Sequence, residues 1–99
     1  MKHLFVRHIV TSQAYNDTTP AERKKVMDEL GKVAKENGFK LIFWGPPWGV
    51  PESLSMVFES DKSLDGFVKF GEVWGKHLAK MGWESFGVSA TTTVITAPE

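Results

Sequence analysis

The chain of 99 residues carries twelve basic and twelve acidic side chains, three histidines and no cysteine. That length suits one domain, residues 1–99, able to bury roughly two thirds of its unfolded surface, and the cancelled charge gives no argument for nucleic acid or an anionic membrane as partner. The missing cysteines exclude disulfide frameworks, thiolate metal sites and a cysteine nucleophile; residues 1–11 are apolar too briefly for a secretory signal, so a cytoplasmic location is the expectation.

In chain order, residues 3–11 alternate around Phe5, Val6, Ile9 and Val10 and predict a strand with Leu4, Val6 and Val10 on one face and His3, Phe5, Arg7 and Ile9 on the other. Thr19-Pro20-Ala21-Glu22 is a capping-box pattern with proline at the first helical position. Val26, Met27, Leu30, Val33 and Ala34 then keep helical spacing until Asn37-Gly38 supplies a stop. Residues 39–44 predict the second strand, with Phe39, Leu41 and Phe43 opposing Ile42 and Trp44. The three prolines of residues 45–51 cannot continue a ladder and predict a stiff connection around Trp48. A third strand is expected over 54–59.

The second long helix is expected over 63–81, capped by Ser63 or Asp61 and ended by Gly82. Its apolar stripe is Phe67, Phe70, Trp74, Leu78 and Met81, and His77 lies beside Phe70, off the stripe's centre. Gly66, Gly71 and Gly75 each cost roughly 1 kcal/mol against alanine in a helix interior, which calls for a reason. Gly71 and Gly75, one turn apart, predict a shallow groove beside Trp74. A last strand, rich in β-branched residues, runs from 83 or 84 to 96.

The order βαββαβ is that of a ferredoxin-like α+β fold, an antiparallel four-stranded sheet with two helices on one face. Both sheet faces are substantially apolar, and a bare second face is unusual for a soluble monomer. The chain is therefore expected to form a homodimer through the sheet face, a dimeric α+β barrel, with the surplus of the last strand reaching across.

A ferredoxin-like chain of this size with a sheet apolar on both sides resembles the dimeric α+β barrel superfamily over nearly its whole length. Phe58-Glu59-Ser60, followed by Leu64, Phe67, Val73 and His77, resembles the strand-to-helix stretch of its antibiotic-biosynthesis and haem-degrading monooxygenases. The resemblance implies a pocket aromatic at Phe67 and, ten residues on, His77 at the position that binds haem iron in the haem-degrading branch. That branch has a tryptophan where Phe67 stands, and an asparagine on the first strand where this chain offers Arg7 or His8.

His77 is thus the candidate catalytic residue, as a haem ligand or a general base. The plain alternative is a half-exposed histidine near a helix C-terminus. No cofactor is expected; haem is the one group the resemblance raises. Arg7, Trp48, Phe67, Phe70 and Trp74 are the candidate pocket residues. The aromatic stripe is first of all core material, a role compatible with walling a mainly apolar pocket between this helix and the sheet for a small molecule. Trp48 reads as a lid, a partner contact or a plug packed on its own sheet. Arg7 requires a partner if buried, either a carboxylate such as Glu59 across the sheet or an anionic ligand. His3 and His8 point to opposite faces and cannot share a metal.

The functional expectation is a cofactor-independent monooxygenase or isomerase acting on a small aromatic or apolar molecule, with a non-catalytic ligand-binding or structural dimer as the alternative. An RNA-binding module shares the element order, but its third strand carries a basic residue, glycine and stacking aromatics. Here that strand reads Ser53-Leu54-Ser55-Met56-Val57-Phe58, with one aromatic and no basic residue.

Overall fold

A computed structural model describes residues 2–83 and 87–97. Its elements are β1 (His3–Thr11), α1 (Gln13–Asn16), α2 (Pro20–Glu36), β2 (Lys40–Gly45), β3 (Leu54–Ser60), α3 (Leu64–Lys80) and β4 (Gly87–Thr96). The four strands form one antiparallel sheet in the order β2-β3-β1-β4. Each long helix links two strands with a gap between them, and the gap is filled by a strand of the other unit, which is the ferredoxin-like α+β arrangement. The short α1, capped by Ser12, has no counterpart in the sequence reading, because four residues carry no helical period. The expected start of the last strand at 84, and residues 85 and 86, lie outside the described residues.

The two long helices are built alike. At its N-terminus α2 has the reciprocal capping box, the Glu22 amide donating to Thr19 Oγ1 at 3.2 Å and the Thr19 amide to Glu22 Oε1 at 3.4 Å. Ser63 caps α3 in the simpler form, accepting from the Gly66 amide. Both helices end on a glycine at φ +84°, Gly38 and Gly82. In each case the next amide reaches back to the helix, Phe39 to the Ala34 carbonyl at 2.8 Å and Trp83 to the Leu78 carbonyl at 3.0 Å. These are Schellman ends, whose following residue folds back onto the helix as an apolar contact. Phe39 is accordingly buried, and Trp83 packs partly buried against the core. Ser60 locks the first of these ends to the sheet by donating to the Gly38 carbonyl at 2.7 Å and accepting from the Lys62 amide at 3.0 Å.

Phe5, Ile9, Leu54, Met56 and Phe58 of the sheet bury against Val26, Met27, Leu30, Val33 and Ala34 of α2 and Phe67, Phe70, Trp74 and Leu78 of α3. Met81, placed at the end of the stripe by spacing, is 41% exposed, because it is the C-cap where the backbone leaves the helix. One face of the second strand also departs from simple alternation. The register with β3 slips between Leu41 and Phe43, so Leu41 pairs with Phe58 and Phe43 with Val57. The bulge returns Trp44 to the helix side, opposite buried Met56, and turns Phe43 outward, where it is 72% exposed. Phe43 thereby joins Leu4, Val6, Val10, Val57 and Ile95 on the sheet face that no helix covers.

Candidate functional site

Alternation on β1 sets Arg7 between Phe5 and Ile9 on the helix side of the sheet, directly beside Met56 of β3 and Thr92 of β4. What lies above it is unusual for a core. The part of α3 over the β1–β4 edge presents Gly71 and Gly75, and β4 faces them with the small side chains of Ala90 and Thr92. A Cβ added at either glycine would meet nothing within 4 Å. Two sparsely filled walls leave a cavity of about 490 Å³ between α3 and the sheet, its floor made by Arg7, Ile9, Met56 and Phe58 and its inner wall by Phe67, Phe70 and Trp74. That size suits a small organic ligand.

The inner wall is also the core. The Phe67 ring stacks on Phe5 at 4.9 Å and meets Phe39, Phe58 and Phe70 within 6 Å, while Phe70 stacks on Phe39 at 5.4 Å. At the β4 end, Gly87 fits where a Cβ would lie 2.2 Å from Ile9 Cγ2 and 2.8 Å from the Val10 carbonyl oxygen. Val88 is the extra residue of the bulge beside it, and both line the cavity.

Arg7 is half-buried and its Nη1 donates to Thr92 Oγ1 at 2.8 Å. Burial pushes its pKa down from the ordinary arginine value. The expected pairing with Glu59 does not form. Glu59 stands opposite Leu4 in the ladder and so faces the other side of the sheet, where Lys2 donates to it at 2.8 Å and holds its carboxyl below the ordinary range.

The structure brings Arg7, Phe67, Phe70 and Trp74 together and leaves His77 and Trp48 elsewhere. His77 does not line the cavity: its ring lies flat beside Trp74, centroids 5.7 Å apart, and its Nε2 is 2.9 Å from Glu29 Oε1 on α2. Lys32 approaches the same carboxylate at 3.9 Å. With His77 outside the cavity lining and its Nε2 turned to the neighbouring helix, the residues present do not place a haem ligand in the cavity. His3 Nδ1 is 3.0 Å from Thr96 Oγ1, and His8 Nδ1 contacts Ser55 Oγ on the open face. Among the described residues no group of three or more His, Asp or Glu side chains could hold a metal ion. None of their helices is long and apolar enough to cross a membrane.

Trp48 is 97% exposed, so it is no plug on its own sheet. Trp48→Ala is expected to leave the urea unfolding free energy within about 0.5 kcal/mol of wild type, as for a surface side chain without partners. A loss above about 1 kcal/mol would return the ring to a packing role.

The cavity lies where the sequence places a pocket, between the second long helix and the sheet; its far wall on β4 is what the sequence does not show. Gly71 and Gly75 pointed to a groove beside Trp74, but Ala90 and Thr92 reach it only through the β1–β4 pairing, a contact between chain segments far apart in sequence.

No protein-family model and no curated protein matches the sequence. Solved structures do match the fold. A dimeric ferredoxin-like protein of unknown function from Thermobifida fusca YX is 15% identical with a TM-score of 0.58, the match covering 98% of this chain and 92% of that one. A variant of SnoaB, a cofactor-independent oxygenase from Streptomyces nogalater, is 14% identical with a TM-score of 0.58, over 99% of this chain and 94% of that one. At these identities the likeness is one of fold, and the fold is ferredoxin-like.

Proposed function

We propose that residues 1–99 form one ligand-binding domain, that it works as a homodimer joined through the open sheet face, and that it acts without a bound cofactor on a small aromatic molecule held between α3 and the sheet. An oxygenase is the first reading and an isomerase the second. The observation that carries the ligand site is the pair Gly71 and Gly75. Both sit inside α3 with open space where a side chain would be, so packing does not require them, yet each weakens the helix by about 0.8–1.0 kcal/mol relative to alanine. Keeping the cavity mouth clear accounts for both. The dimeric state of the Thermobifida protein and the activity of SnoaB support the remaining parts as analogies of fold.

A non-catalytic binding protein is favoured by one feature of the lining. Among the described lining residues no histidine is present, and the one carboxylate, Glu72, sits exposed. A proton-abstracting enzyme needs a base within hydrogen-bond reach of its substrate, whereas a cofactor-free oxygenase also needs a substrate that is itself easily oxidised.

Gly75→Leu separates these readings. It is expected to stabilise the chain by about 0.5–1 kcal/mol through helix propensity and to fill the mouth. Dioxygen uptake over a panel of electron-rich polycyclic phenols, with no metal or flavin added, should appear in wild type and vanish in this variant. Binding without uptake assigns the non-catalytic role; a Gly75→Leu protein that binds and reacts as wild type overturns the site.

A further inference from the structure

We propose that Arg7 makes the cavity selective for an anionic aromatic molecule, its guanidinium holding a carboxylate, enolate or similar oxyanion of the ligand while the phenylalanine wall takes the ring system. This deepens the ligand-site reading above and rests on it.

The guanidinium is the only cationic group among the described lining residues. It has five N–H donors in a fixed fork, and the single side-chain hydrogen bond it makes among the described residues is the one to Thr92 Oγ1. No carboxylate of a described residue lies within ion-pair distance of it; the ion pairs that form are Lys2 with Glu59, Lys24 with Asp28, and Lys32 and His77 with Glu29. Glu72, the other charged residue of the lining, sits exposed on α3, where water and salt screen it.

A surface arginine normally extends its head into bulk water. Arg7 instead has its head anchored to the cavity wall by Thr92, with Ile9 and Met56 beside it. The consequence for ligands has a definite sign. A neutral molecule entering the cavity strips water from the guanidinium and gives nothing back, which disfavours it. An oxyanion replaces that water with charge-assisted, bidentate hydrogen bonds, which arginine forms better than lysine because of its planar fork. Thr92 removes one torsional freedom beforehand, so the group is already oriented when the ligand arrives.

Fluorescence titration with the anilinonaphthalene sulfonate dye ANS and with N-phenyl-naphthylamine, the same ring system without the sulfonate, reads the effect of charge alone. Arg7→Met should weaken ANS binding about 10- to 100-fold, the range of one lost hydrogen bond to a charged group, and should not weaken the neutral dye, whose binding gains from the loss of the guanidinium's desolvation cost. Arg7→Lys should give a smaller loss, again for ANS only. If the variants fail to fold, wild type suffices: added salt should weaken ANS and not its neutral counterpart. Equal effects on both dyes, or none, overturn the anion assignment while leaving the cavity as a ligand site. ANS binding that survives Gly75→Leu places the dye outside the cavity and overturns it too. If neither dye binds wild type, the ligand-site reading itself fails.

Discussion

Phe67→Ala is expected to destabilise the chain by about 3–5 kcal/mol, enough to lower the melting temperature of a domain this size by roughly 15–30 °C. The magnitude follows from what the ring touches. Phe67 is 5% exposed and is the meeting point of Phe5, Phe39, Phe58 and Phe70, which come from β1, the α2 end, β3 and α3 itself. Removing it takes a partner from every ring at once, and Phe5, Phe39 and Phe58, all but fully buried, have little room to collapse inward. Thermal unfolding followed by circular dichroism checks this directly. A cost below about 1 kcal/mol would mean that Phe67 is chiefly a pocket residue with slack around it. Val68, its exposed neighbour that also lines the cavity, provides the contrast, since its truncation exposes no core surface.

That double position of Phe67 marks where the sequence was informative and where it stopped. Local chemistry was legible: Thr19, Pro20 and Glu22 announce the start of α2, and Gly38 and Gly82 its end and that of α3, because a cap or a left-handed turn needs particular residue types at fixed offsets. In β1 alternation sorts Phe5, Arg7 and Ile9 onto one face and Leu4, Val6 and Val10 onto the other, but both sets are largely apolar, so the face that meets the helices was not legible; in β2 even the sorting failed. Leu41, Ile42, Phe43 and Trp44 are all apolar, so nothing in the pattern marks the one-residue bulge that sends Phe43 to the open face. His77 lies on the flank of the α3 stripe as its spacing predicts, but its pairing there with Glu29 of α2 was not legible, because helix–helix pairing has no local signature. Arg7 stood out as a charge between apolar residues of one strand face; its true neighbour, Thr92, follows from a strand pairing 85 positions away.

Val6→Lys should convert a dimer into a folded monomer, raising the dissociation constant by a thousandfold or more. Val6 is half-buried at the centre of the uncovered face, paired with Val57 of β3 and Thr93 of β4, with Leu4 and His8 as its same-face neighbours along β1. On a subunit that stays alone, an ammonium here reaches water through a flexible stem and costs little, within the usual range of surface changes. Across a twofold axis the same substitution buries two like charges near each other, each carrying a desolvation penalty of several kcal/mol with no counter-ion to offset it. Of the carboxylates that reach that face, Glu59 is already engaged by Lys2, and Glu52 lies toward the other end, beside Thr91, which pairs with His8 rather than with Val6. The two states thus respond oppositely to one side chain: intact fold with lost association if the face is an interface, and no change of state if it is simply exposed. Light scattering after size exclusion at micromolar concentration reads the outcome, with circular dichroism to confirm that the sheet survives. A monomeric wild type, or a Val6→Lys protein that remains dimeric, would remove this face as the subunit contact and leave Phe43, Val10 and Ile95 as exposed apolar side chains in need of another partner.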